Sequence, residues 1–280
     1  MKNVLYLNKP AGITSFTLCK RVGKVLQTRK IGHTGTLDPM ATGVMILLLD
    51  KATKANQFLV ADRKEYIAQV QFGFVTDTLD KEGKILCTQE IKAVNEVDLR
   101  RVLQSFLGKS EQIPPLTSAI KVQGKRLYEY QRQGKEIQIP HRNIEVFRCE
   151  LLHFSGSGFT FRTQVSSGTY IRSLVRDIGA RLGNLACLTA LERISIDQIS
   201  LAQCDNFSLV PDDYHFHDVC ELLSLRYPSF ELSDDQDVRH GKPLFLPCTE
   251  KEIFLKKDGE ALAIYRREEN GSYRCVRGLF

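Results

Sequence analysis

The first 37 residues contain no Asp or Glu, although they carry seven basic residues: Lys2, Lys9, Lys20, Arg21, Lys24, Arg29 and Lys30. An anionic partner is favoured at that end of the chain and a cationic one is not. No apolar run approaches the roughly 18 residues of a membrane-spanning helix. The richest run, Val44 to Leu49, reads as a buried strand. The eight cysteines include no pair at CxxC spacing, and the six histidines make no ligand pattern with them. That argues against a structural metal and against a disulfide framework, and the thiols are expected to be reduced and mostly buried. The opening residues lack the basic-then-apolar layout of a signal peptide, so a cytoplasmic protein without a membrane partner is expected.

The chain has 280 residues, a net charge of +6, 42% hydrophobic residues and 26% charged ones. That length allows one large domain or two modest ones. The positive excess is unevenly placed. Tyr227 to Phe280 holds 9 basic and 10 acidic residues, so the preceding part holds 30 and 23. A phosphate-rich partner for the first four-fifths fits this distribution.

Periodicity predicts a strand over Asn3 to Asn8 and a turn over Lys9 to Ser15. A helix then covers about Phe16 to Leu26, with Phe16, Val22, Val25 and Leu26 inward and Lys20, Arg21 and Lys24 outward. The first carboxylate, Asp38, lies in Gly32-His33-Thr34-Gly35-Thr36-Leu37-Asp38-Pro39-Met40-Ala41-Thr42-Gly43. An acid in a Gly/Thr-rich loop is either a reactive group offered to a ligand or a cap for the next element. Alternation over Tyr66 to Phe72 predicts a strand, and Val97 to Leu107 a helix capped by Asn95 and stopped by Gly108.

Lys109 to Arg142 holds Pro114-Pro115 and 7 basic against 3 acidic residues, with Tyr128 and Tyr130 among the charges. It reads either as an insertion that folds over a ligand, since aromatics among basic residues suit stacking on bases and neutralising phosphates, or as a solvated excursion. Asn143 to Leu152 and Phe159 to Val165 read as paired strands. Tyr170-Ile171-Arg172 then falls at a strand-to-helix junction, before a helix over about Ser173 to Leu182. Pro211-Asp212-Asp213 reads as a linker. The tail from Pro228 reads as a small β-rich module with a short helix, Asp234 to His240, capped by Ser233, and hairpin signals at Asp258-Gly259 and Asn270-Gly271.

Four of these segments resemble, in order, the motifs of the TruB family of tRNA pseudouridine synthases. They are Lys9-Pro10-Ala11-Gly12-Ile13-Thr14-Ser15, His33 to Gly43, Ile113-Pro114-Pro115 with Ser118 to Lys121 and Leu127-Tyr128-Glu129, and Gly168-Thr169-Tyr170-Ile171-Arg172. The resemblance spans most of the chain, and four long motifs in order are far more specific than one short one. It implies an α+β fold: a mixed, mostly antiparallel catalytic sheet over 1–226, an RNA-gripping insertion at 109–142, and a PUA-like barrel over 227–280. It implies isomerisation of uridine to pseudouridine in the T-loop of tRNA, at the uridine conventionally numbered 55, by a monomer with no cofactor and no metal.

By the same resemblance Asp38 is the essential carboxylate. It attacks the base, attacks the sugar, or removes a sugar proton. Arg172 orients that carboxylate through its guanidinium, Tyr66 stacks on the target base, Tyr170 braces Arg172, and Leu191 lines the pocket. His33 packs against the extruded nucleotide, while Lys9, Lys20, Lys121 and Tyr128 contact RNA. The chain departs from the family pattern at Asp50, where Gly is usual, at Ser166 and Ser167, where Cys and a basic residue are usual, and at Glu192, where Arg is usual. Two other classes compete. A tRNA-folding chaperone would keep its function without Asp38. A nucleotide hydrolase using Asp38 as base would need a second acid or a metal, and the sequence shows neither.

Overall fold

The computed structural model describes residues 2–135 and 137–280. The chain forms β1 (Lys2–Lys9), α1 (Ser15–Val25), β2 (Ile31–His33), β3 (Thr42–Leu49) and a 3₁₀ helix (Asp50–Phe58). β4 (Arg63–Phe72), β5 (Phe74–Thr76), β6 (Ile85–Thr88), α2 (Glu96–Gln104) and β7 (Gly108–Gln112) follow. The next elements are β8 (Lys121–Val122), β9 (Lys125–Arg126), α3 (Leu127–Arg132), β10 (Arg142–Phe154), β11 (Gly158–Ser166), α4 (Ile171–Arg181), β12 (Ala186–Ile196) and β13 (Ile199–Ser200). The last part holds β14 (Asp205–Asn206), β15 (Phe216–Asp218), α5 (Val219–Ser224), β16 (Ser229–Glu231), α6 (Gln236–Arg239), β17 (Glu252–Lys257), β18 (Glu260–Arg267) and β19 (Tyr273–Gly278).

The chain divides into two compact units. One comprises Met1–Pro39, Val44–Val60 and Ala202–Phe280; the other comprises Met40–Gly43 and Ala61–Leu201. Ala202–Phe280 thus belongs to the same unit as the N-terminal segments.

In the first unit β1 lies between β14 and β3, with β15 also on β1 and β2 on β3. β3 is buried along Gly43 to Leu49, as its unbroken apolar run requires. The hydroxyl of Thr14 caps α1 by accepting from the Thr17 N–H at 3.0 Å. The buried face of α1 is Ser15, Leu18, Cys19, Val22 and Gly23. This corrects the expected inward placement of Phe16. Ser15 turns inward because its hydroxyl bonds the Leu37 backbone, and the spacing 15, 18, 19, 22 then excludes Phe16.

Asp50 sits at φ 48, a left-handed conformation that favours Gly and that Asp tolerates. Its carboxylate accepts from Thr28 Oγ1 at 2.7 Å, which ties the loop after α1 to the 3₁₀ helix. That accounts for Asp where Gly is usual.

The tail of this unit is a four-stranded sheet in the order β16-β17-β18-β19. Its core is Val238, Ile253, Leu255, Leu262, Ala263, Tyr265 and Tyr273. Asp258 and Gly259, both at positive φ, make the β17–β18 turn as the sequence predicts. Among the described residues the strand order is open, so the expected barrel closure is not observed. α6 is also shorter than expected. Asp235, not Ser233, occupies its cap position, and the Gln236 N–H goes to Asp234 Oδ1 at 3.2 Å.

The second unit is built on the sheet β12-β4-β11-β10-β7, antiparallel throughout, with the first residues of β3 added in parallel to β12. The predicted alternation holds on β4: Tyr66, Ala68, Val70 and Phe72 are buried while Gln69 and Gln71 are exposed. α2 begins at the Asn95 cap, whose side chain accepts from the Asp98 N–H at 2.8 Å, and buries Leu99 and Leu103. α4 buries Ile171, Leu174, Val175 and Ile178 and packs on β12. Of the eight cysteines only Cys19, Cys149 and Cys187 are buried, and burial pushes the Cys149 thiol up to about 12.

Gly43 is the tightest backbone approach in this unit. It sits at φ +106, and a Cβ there would meet the Arg193 carbonyl oxygen at 2.2 Å and the Arg193 nitrogen at 2.7 Å. Both the conformation and the pairing of β3 with β12 require glycine. Gly43→Ala is expected to destabilise the protein by about 2–3 kcal/mol, read as a lower urea midpoint at unchanged m-value. A midpoint like that of the wild type would show that β12 can move aside.

Candidate active site

Asp38 lies on the loop between β2 and β3, half-buried. Both of its neighbours are held by the N-terminal segment. The Leu37 N–H donates to Ser15 Oγ at 2.9 Å, and the same hydroxyl donates to the Leu37 carbonyl at 3.1 Å. On the other side the Pro39 carbonyl accepts from the Gly12 N–H at 2.9 Å and from Lys9 Nζ at 3.1 Å. Lys9 Nζ donates also to the Pro10 carbonyl at 2.8 Å. The Lys9-Pro10-Ala11-Gly12 turn and Ser15 therefore fix the peptides before and after the carboxylate. A reactive group needs such positioning, because a loop left to itself samples many geometries.

Lys9 is 0% exposed, so it does not offer a surface charge to RNA as expected. Its role is to hold the Asp38 loop from inside. Lys9→Met keeps the volume but removes both carbonyl bonds. We expect a loss of about 1–3 kcal/mol in stability and about a tenfold drop in turnover, read by melting and steady-state kinetics. Wild-type values for both would remove Lys9 from the site.

In the second unit Tyr66 lies near the start of β4, opposite Thr163 of β11 and Arg193 of β12. Leu191 stands opposite Ala68, so Tyr66, Ala68, Leu191 and Arg193 share one face of adjacent strands. Tyr66 and Leu191 are both nearly buried, at 7% exposure, and Arg193 is wholly buried. Lys64, on the same face as Tyr66, has its pKa lowered to about 8, chiefly by burial and then by the Arg193 charge, against the pull of Asp197.

Tyr170 occupies the cap position of α4. The Gln112 side chain holds it from both sides, accepting from the Tyr170 N–H at 2.9 Å and donating to its carbonyl at 3.1 Å. Arg172 follows in the first turn of the helix, buried. Its Nη1 donates to the Thr78 carbonyl at 2.9 Å and to Thr117 Oγ1 at 2.6 Å. Its Nη2 donates to the Thr117 carbonyl at 3.1 Å, and its Nε lies 3.8 Å from Asp80 Oδ2. The two side chains of that ion pair are each 6% exposed. Asp80 is itself oriented, since its Oδ1 accepts from Thr78 Oγ1 at 2.7 Å and from the Glu82 N–H at 3.0 Å. Arg172 thus links α4, the β5–β6 turn and the root of the insertion.

Sequence reasoning missed Gln112, Asp80 and Thr117. The only signal available was polarity in segments that read as turn and loop.

The insertion forms β8, β9 and α3. Tyr128 is half-buried between Arg126 and Arg132, whose guanidinium carbons lie 5.9 and 5.5 Å from its ring centroid. Tyr130 is buried instead, with its hydroxyl donating to the Val122 carbonyl at 2.9 Å. Lys121 is exposed on β8, and Lys20 is exposed on α1. His33 ends β2 opposite Leu47, half-buried. Ser166 Oγ accepts from the Glu145 N–H at 2.8 Å, and Glu192 stands opposite Thr42. No group of three or more His, Cys, Asp and Glu is placed to hold a metal ion among the described residues, and none of their helices is long and apolar enough to cross a membrane.

The fold is shared with chains of known structure. A chain in the structure of an H/ACA RNP bound to a substrate RNA containing 2'-deoxyuridine superposes with a TM-score of 0.72 at 21% identity, over 100% of this chain and 85% of that one. A chain in the crystal structure of a Cbf5-Nop10-Gar1 complex gives 0.69 at 24% identity, over 95% and 78%. Residues 23–171 match the family described as TruB family pseudouridylate synthase (N terminal domain). The tRNA pseudouridine synthase B of Fusobacterium nucleatum is 39% identical over 98% of this chain and 91% of that protein. Its counterpart in Mesoplasma florum is 33% identical over 98% and 97%. The chain belongs to the TruB family.

Proposed function

We propose that the protein isomerises uridine to pseudouridine in the T-loop of tRNA, at the uridine conventionally numbered 55. The observation that carries this reading is 39% identity, over nearly the whole chain, to a tRNA pseudouridine synthase B. The anchored Asp38 loop supports it: the family motif is present, and its neighbours are tied down on both sides.

In this reaction the bond from N1 to C1′ of the sugar breaks and a bond from C5 to C1′ forms. N1, which carries no proton in uridine, gains one, and the C5 proton leaves to solvent. The target nucleotide must first leave its stack, at about a few kcal/mol. Asp38 supplies the ionised carboxylate that begins the rearrangement. Tyr66, on the face it shares with Leu191, stacks on the base. Arg172 provides the planar donor fork that orients the carboxylate. Tyr128, set between two arginines, and Lys121 grip the RNA backbone and bases. We read residues 227–280 as a PUA-type RNA-binding module.

The test is release of tritium from unmodified tRNA carrying 5-tritiated uridine. One equivalent released per tRNA is expected. Tight binding of tRNA without any release would overturn the synthase reading in favour of a folding chaperone.

A further inference from the structure

Phe16 sits in the first turn of α1 with 65% of its surface exposed. The helix buries Ser15, Leu18, Cys19, Val22 and Gly23, so Phe16 and Lys20 share the outer stripe, with Lys24 one turn further on. The Lys20 ammonium lies 4.6 Å from the centre of the Phe16 ring. Water gains nothing from an exposed aromatic ring at this position, and the helix core does not use it. The neighbouring residue, Ser15, is the one whose hydroxyl holds Leu37 beside Asp38. The aromatic therefore stands next to the anchor of the catalytic loop, in a segment of 37 residues without a single acid.

Other exposed apolar side chains lack this setting. Phe245, Ile85 and Leu86 are as exposed but have no cation over them among the described contacts. Phe106 has Arg181 over its ring at 3.8 Å, but Phe106 is buried.

We propose that Phe16 is a stacking platform for an unpaired base of the RNA substrate, beside the target uridine, with Lys20 and Lys24 neutralising the phosphates that flank it. An exposed ring with adjoining ammonium groups is the arrangement that binds single-stranded RNA: bases stack on aromatic faces and cations follow the backbone. Lys20 can move from the ring to a phosphate when a base takes its place. The inference rests on the synthase reading above and adds to it a residue that selects an unstacked neighbouring nucleotide.

The experiment uses the full chain with a stem-loop RNA that carries 2-aminopurine at each loop position in turn. Phe16→Ala, Phe16→Leu and Phe16→Tyr are compared with the wild type. Phe16→Leu keeps an apolar side chain but lacks a π face. Because the ring is exposed, all three variants should melt like the wild type. Phe16→Ala and Phe16→Leu should weaken RNA binding about tenfold, with the loss in KM rather than kcat, and Phe16→Tyr should retain affinity. The wild type should quench 2-aminopurine at one loop position, and Phe16→Leu should lose that quench. Wild-type affinity and quenching in Phe16→Leu would overturn the proposal while leaving the synthase reading intact. Failure of the wild type itself to bind the RNA would instead overturn the reading on which the proposal stands.

Discussion

Asp38→Asn is expected to abolish tritium release, by at least about 10³-fold, in a protein that melts within a degree or two of the wild type and still binds tRNA. The magnitude is that of removing the group that begins the chemistry. Every route open to Asp38 requires a negative charge: attack on the base, attack on the sugar and removal of a sugar proton all fail with a neutral amide. The fold should survive, because bonds made by its neighbours hold the loop on both sides of it. Ser15 binds the Leu37 backbone, and Lys9 and Gly12 bind the Pro39 carbonyl. Asn has the size of Asp and asks nothing new of those bonds. Turnover by Asp38→Asn within tenfold of the wild type would take Asp38 out of the mechanism, whatever the family resemblance implies. Lost turnover with intact tRNA binding would also separate catalysis from any contribution the protein makes by binding tRNA alone.

What could be read in the sequence had a local signal. Alternation on β4, the Asn95 cap of α2, the β10–β11 pair and the Asp258-Gly259 turn each depend on residues a few positions apart. The Asp38 loop was legible because its motif is contiguous. The devices that hold the site are not local. Lys9 reaches a carbonyl 30 positions away, Gln112 a backbone 58 away, and Arg172 a carbonyl 94 away. No periodicity reports such pairs. The misplacement of Phe16 has the same origin. Its hydrophobicity argued for the inner face, but Ser15 occupies that face because of a bond to Leu37, 22 residues later. The long-range bond sets the phase of the helix, and the exposed ring is the result.

Arg172→Lys is expected to lower turnover about 10²-fold and Arg172→Met to lower it further, with a stability loss of about 3–5 kcal/mol for Arg172→Met. The guanidinium donates to the Thr78 carbonyl, Thr117 Oγ1 and the Thr117 carbonyl, and faces Asp80 with its Nε. A lysine ammonium is a point charge on a shorter reach and cannot hold these acceptors together. Arg172→Met leaves the Asp80 carboxylate, 4% exposed, without its cation. That is the costly way to break a buried pair, and it predicts a coupling. The double variant Arg172→Met with Asp80→Leu should be more stable than the sum of its single variants, because both buried charges are gone. Activity should not return with stability, since the guanidinium proposed to orient the reacting carboxylate is still missing. Chemical denaturation gives the coupling energy, and tritium release gives the rate on the same four proteins. Additive stabilities would mean that Asp80 and Arg172 do not interact across their 3.8 Å separation. Wild-type turnover by Arg172→Lys would reduce Arg172 to a structural link between α4, the β5–β6 turn and the insertion.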